Sequence, residues 1–160
     1  MDKIGKFLDT LLTAVNYHGI YLWGGQGEKV LSLTEQDIFD RATSKENAER
    51  VIRYIKFLDS CGWLTKKTRA FDCSGLVCYA LVKAKIESKG FDDTADGLFN
   101  RYPHTVTLHE GSLLHRKGHI GVYMGYKHLI ESKGRDYGVC VSPYYADDWD
   151  KEFANPYKAS

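Results

Sequence analysis

Residues 111–142 read GSLLHRKGHIGVYMGYKHLIESKGRDYGVCVS, and their texture decides the fold. Short apolar and β-branched runs are separated or bent by glycines at 111, 118, 125, 134 and 138. The spans 113–115, 119–124, 128–132 and 139–142 therefore predict strands joined by short turns, and a further β-like run is expected at 105–109. Upstream, the apolar residues recur at helical spacing instead. Ile4, Phe7, Leu8, Leu11, Leu12 and Val15 form one stripe and predict a helix over 3–17. Residues 34–60 predict one or two helices, with Thr34 and Asp37 resembling a capping box. Ala48, Val51, Ile52, Ile55 and Leu58 form the second stripe, and Gly62 is a plausible stop. A third helix is expected from Cys73 to about Ile86, burying Val77, Ala80, Leu81 and Ala84. Helices first and a meander afterwards predict an α+β fold, with helices packed on one face of an antiparallel sheet.

Composition narrows the function classes. The chain has 160 residues, is 43% apolar and 27% charged, and carries a formal net charge of +1. One domain over 1–160 is expected, with neither disorder nor repeats. Without a global basic field, no nucleic-acid partner is expected. No apolar run approaches the roughly 18 residues of a membrane span, so no membrane partner is expected either. Leu11, Leu12, Ala14 and Val15 make too short a stretch for a signal peptide, which predicts synthesis in the cytoplasm. Cys61, Cys73, Cys78 and Cys140 are then expected as reduced thiols. Lys66, Lys67 and Arg69 read as a solvated loop.

The chemistry concentrates at Phe71-Asp72-Cys73-Ser74-Gly75-Leu76-Val77, where a thiol opens an apolar helix behind an acidic cap. Unpaired amides at a helix start carry partial positive charge, which predicts a lowered thiol pKa and a nucleophilic thiolate. The same amides can hold an oxyanion. A cysteine nucleophile needs a base, usually histidine. Of the six histidines, His119 stands out, following Gly118 and opening the strand His119-Ile120-Gly121-Val122-Tyr123-Met124-Gly125. His115 and His119 stand four apart, but the cysteines are scattered without a Cys-x-x-Cys pair, so no metal site is expected.

These motifs, with Tyr21-Leu22-Trp23-Gly24-Gly25 before them and Gly111-Ser112-Leu113 between them, resemble the NlpC-type cell-wall cysteine peptidases. The resemblance spans most of the chain and implies a reduced papain-like fold with the nucleophile at a helix N-terminus. It implies Cys73 as nucleophile, His119 as base and Tyr21 as the active-site tyrosine near the oxyanion. Asp72, Ser74 and Trp23 are implied to line the substrate groove. The third catalytic residue, which orients the histidine, falls at Glu131, where the family more often has His, Asn or Gln. His128, on the same strand, is the competitor for that place. The family's Gly-Asp-Leu turn is Gly111-Ser112-Leu113 here, and about 28–70 forms a helical insert longer than in many relatives.

The resemblance implies a peptidoglycan hydrolase that cleaves an amide of the stem peptide, such as the γ-D-glutamyl-diamino acid bond. An N-acetylmuramoyl-L-alanine amidase is the close alternative. A cysteine acyltransferase or a non-catalytic wall-binding module on the same fold are the alternatives of another class. No cofactor is required, the partner is the peptidoglycan stem peptide, and the expected unit is a monomer. A wall enzyme without a signal peptide suggests release from a phage or prophage, as for an endolysin catalytic domain, or a secreted effector.

Overall fold

The computed structural model describes residues 1–158. The order of elements is α1 (Lys3–Asn16), β1 (Ile20–Tyr21), β2 (Gln26–Lys29), α2 (Glu35–Arg41), α3 (Lys45–Ser60), β3 (Arg69–Phe71), α4 (Cys73–Lys83) and α5 (Ala95–Arg101), then β4 (His104–Thr105), β5 (Leu113–Arg116), β6 (His119–Gly125), β7 (His128–Gly134), β8 (Gly138–Pro143) and β9 (Phe153–Ala154). This is the expected α+β order. The large sheet is antiparallel, with strand order β4-β9-β5-β6-β7-β8.

Alternation along the central strands sends neighbouring residues to opposite faces of this sheet. Leu113 and Ile130 join a core with Phe7 and Leu11 of α1 and Leu76, Val77 and Leu81 of α4. Their neighbours Leu114 and Leu129 join Trp149 and Phe153 in a smaller cluster. The central strands are therefore buried on both sides. This is why Leu113 and Leu114, adjacent in sequence, are both fully buried.

Caps fix the helix starts. Asp2, Thr34, Ser44, Asp72 and Thr94 each accept a backbone N–H of the first turn of the helix that follows. At α2 the Thr34–Asp37 box is complete in both directions. The stretch 34–60 resolves into two helices, α2 and α3, which cover a second core of Ile20, Leu22, Val30, Ile38, Val51, Leu58 and Ala70.

Three features depart from the sequence reading. Periodicity did not announce a second, three-stranded sheet, β1-β3-β2, in which β1 runs parallel to β3. The run at 105–109 is not a strand beyond Thr105, because the Thr105 hydroxyl accepts the Thr107 N–H (2.8 Å) and donates to the Thr107 carbonyl (3.0 Å). Such local side-chain bonds compete with a sheet ladder. Finally, α5 is too short and too broken by Gly97 and Asn100 to show a period, and it stands on its Thr94 cap.

Candidate active site

The start of α4 is locked to the glycine turn that follows β1. Asp72 Oδ1 accepts from Gly75 N at 2.6 Å and Oδ2 from Gly24 N at 3.0 Å, so one carboxylate joins two distant segments. The Asp72 N–H donates to the Gly25 carbonyl at 2.9 Å. A Cβ on Gly75 would collide with that carbonyl oxygen, so the close approach requires glycine. Burial raises the Asp72 pKa, and the hydrogen bonds from Gly75, Ser74 and Gly24 only partly offset it.

Cys73 is the first residue of α4 and half-buried, its Sγ 3.8 Å from the Gly118 carbonyl oxygen. Its thiol pKa is raised, contrary to the expectation from the helix start. Burial contributes most and the Asp72 carboxylate adds to it, outweighing the backbone amides of Ile120, Ser74 and Cys73. Burial disfavours the thiolate by more than the helix start favours it. Here the capping carboxylate opposes it at close range. Deeper in the same helix, burial pushes the Cys78 thiol up to about 12.

His119 opens β6 and Glu131 lies on β7. Nε2 of His119 is 2.8 Å from Oε1 of Glu131, which is only 4% exposed. Burial alone would raise the Glu131 pKa. Hydrogen bonds from His119 and Ser142, and the charges of His119 and Arg116, outweigh it and hold the carboxyl below its usual range. Of the two candidates on β7, the structure brings Glu131 to His119. His128 is exposed at the start of the strand, paired with Gly125 and Pro143. No hydrogen bond joins Cys73 to His119 among the described residues; the thiol meets the backbone just before the histidine.

Tyr21 pairs with Phe71, two residues before Cys73. Burial raises its hydroxyl pKa, and the negative charge of a Cys73 thiolate raises it further, against the pull of Arg135. The Arg135 guanidinium lies 5.3 Å from the centre of the Tyr21 ring. Ser74 is half-buried and its hydroxyl donates to Asp72 Oδ1 at 3.2 Å, while Trp23 is 55% exposed beside the glycine turn.

Two supports were not visible in the sequence. The Trp149 ring stacks on His119 with centroids 5.6 Å apart, and Arg116 covers the Trp149 ring at 4.5 Å. His115 holds two carboxylates, Asp150 Oδ2 and Asp96 Oδ1, each at 2.6 Å. Asp96 Oδ1 also accepts the Gly118 N–H at 3.0 Å, so this clamp grips the turn that carries both the Gly118 carbonyl and His119. These partners come from α5 and the C-terminal segment, which no local motif linked to the site.

The comparisons bear on this geometry. Comparison by sequence with curated proteins finds no match. Among solved structures, the P60 domain of the M. avium subspecies paratuberculosis antigen MAP1204 is similar at a TM-score of 0.60 and 18% identity, covering 96% of this chain and 94% of that one. The P60 domain of antigen MAP1272c from M. avium paratuberculosis is similar at 0.57 and 15% identity, covering 96% and 95%. RipD from Mycobacterium tuberculosis, a non-catalytic NlpC/p60 domain protein adapted to peptidoglycan binding, is similar at 0.54 and 17% identity, covering 93% and 96%. At these identities the likeness establishes the fold. The family follows from the sequence itself: a model of the NlpC/P60 family matches residues 60–157, from the end of α3 through the Cys73 helix and the sheet, and by this match over more than half of its length the chain belongs to the NlpC/P60 family.

Proposed function

We propose that this chain is a cysteine hydrolase of peptidoglycan, cutting an amide of the stem peptide with Cys73 as nucleophile. The observation that carries the reading is the 2.8 Å His119–Glu131 bond, held beside a cysteine at a helix start. Family membership and likeness to P60 domains support a role on peptidoglycan.

In this reading the ionised Glu131 accepts from His119 Nε2, which leaves Nδ1 as the basic nitrogen. The resting Cys73 is a neutral thiol, in keeping with its raised pKa. His119 takes the thiol proton as sulfur attacks the carbonyl carbon. Catalytic hydrogen bonds are often long in the free enzyme and tighten when substrate binds. The Cys73 N–H and the Tyr21 hydroxyl stabilise the developing oxyanion. His119 then protonates the leaving amine as the C–N bond breaks, giving a thioester. Water, deprotonated by His119, cleaves that thioester and returns the thiol. Asp72, Ser74 and Trp23 line the groove for the stem peptide. The bond between γ-D-glutamate and the diamino acid is the proposed target, and the chain works as a monomer on the wall, without a cofactor, after phage-type release or secretion.

The test is digestion of purified peptidoglycan followed by mass spectrometry of the soluble fragments. The expected fragments end at γ-D-glutamate, and Cys73→Ala should release none while keeping the parent melting temperature. Free L-alanine amino termini would mean an amidase instead. Wall retention without any fragments would make the chain a binding module.

A further inference from the structure

A cavity of about 630 Å³ that Cys73 does not line lies between α1, the antiparallel β2–β3 pair and α4. Lys6, Lys29, Lys66, Lys67, Arg69 and Lys83 line it, against one carboxylate, Asp9. The loop lysines that read as solvated in the sequence thus converge with cations from four other elements. Among the described residues, none of these six cations has a carboxylate within ion-pairing distance. The whole chain carries a net charge of only +1, so the positive charge is gathered here rather than spread.

Like charges lining one concavity repel within the screening length of about 8 Å at physiological salt, a cost that a bound anion removes. The aromatic faces in the cavity discriminate between anions. Lys67 Nζ donates to the Tyr17 hydroxyl at 3.2 Å, and Arg69 and Lys83 each sit 5.5 Å from the ring centre of Tyr79. The edge of Phe71 also meets Tyr79, and Gly27 packs against the same ring. The Tyr79 ring is therefore occupied as a cation support and is not a free platform for stacking bases. Six cations without carboxylate partners around one cavity suit an anion that carries several charges, such as a run of linked phosphates. We propose that this cavity binds a linear chain of linked phosphates, either free polyphosphate or a phosphodiester polymer of the wall.

The test is titration of the intact chain with short inorganic polyphosphate at several salt concentrations. Affinity should fall steeply with salt, by a slope of about 0.7 in log–log terms for each phosphate neutralised. The double variant Lys66→Glu/Lys67→Glu should weaken binding at least about tenfold and flatten that slope by about 1.4. Lys83→Gln should weaken binding in the same direction, while Lys89→Glu and Lys151→Glu, outside the cavity, should leave it unchanged. Equal loss in those controls, equal affinity for polyglutamate, or tighter binding of oligothymidylate would each overturn the proposal. The source is read from retention of the Cys73→Ala chain on walls of a Gram-positive bacterium before and after hydrofluoric acid removes their phosphate polymers. A loss of retention assigns the wall polymer, and unchanged retention assigns free polyphosphate. Polyphosphate binding is independent of the hydrolase reading, so either can fail alone.

Discussion

Glu131 carries the sharpest residue-scale consequence. Its carboxyl titrates below the ordinary range in the fold, so the folded chain favours the ionised form more than the unfolded chain does. The His119–Glu131 bond thus contributes stability that is present above the unfolded carboxyl pKa and lost as pH falls through the folded one. Melting curves of the parent and Glu131→Gln should converge as the solution is acidified; a gap that stays constant with pH would contradict the pairing. In activity, Glu131→Gln keeps an acceptor oxygen and should lose about tenfold, and Glu131→Ala about a hundredfold, the scale seen for partners that orient a histidine. The role proposed for Tyr21 has a different consequence. A hydroxyl that meets charge only in the transition state should lower kcat by roughly a hundredfold when replaced in Tyr21→Phe, with KM little changed. A change confined to KM would make Tyr21 a wall of the groove.

At the scale of elements, α4 shows tertiary contact overriding local preference. An alanine in place of a helical glycine normally stabilises by about 1 kcal/mol. At Gly75 the added Cβ meets the Gly25 carbonyl oxygen, a rigid backbone atom that itself accepts the Asp72 N–H. Overpacking of this kind costs about 3 kcal/mol. The net loss for Gly75→Ala is then about 2 kcal/mol, or roughly 4–8 °C in melting temperature for a chain of this size. Because the collision separates the glycine turn from the Cys73 helix, activity should fall by more than stability does. An unchanged melting temperature would show that the turn yields instead. The caps and stripes of α1, α3 and α4 were legible because each rests on neighbours within a few residues. β1 and β3 were not, since two- and three-residue strands carry no period and exist through each other.

For the whole molecule, the site is a meeting of segments that are far apart in the chain. The Asp96–His115–Asp150 clamp brings α5 and the C-terminal segment to the β5–β6 turn. Only Asp96 also holds Gly118 N, so Asp96→Ala should lower kcat more than Asp150→Ala. Amide exchange at Gly118 should quicken in the Asp96 variant alone; equal effects from both would reduce the clamp to general support. On the other side, Arg50 of α3 grips Asp136 through two bonds of 3.1 and 2.6 Å, and Tyr54 donates to the Tyr137 carbonyl at 3.0 Å. The stretch between β2 and β3 thereby braces the β7–β8 turn, whose Arg135 covers Tyr21.

The sequence alone determined the helix stripes, the strand-and-glycine meander, the acidic cap before Cys73 and the pairing of motifs that marks the family. All of these are short-range patterns, set by 3.6- and 2-residue periods and by side chains capping their own backbone. It also placed Glu131 and His128 as rivals on one strand, and their alternation implied that only one could face His119. Tertiary structure decided which, because the partner of a strand residue depends on register with β6. It likewise decided that burial and the Asp72 charge raise the Cys73 thiol pKa, and that lysines from separate elements share one cavity. Desolvation and electrostatics sum over neighbours in space, and those neighbours are assigned only when the chain has folded.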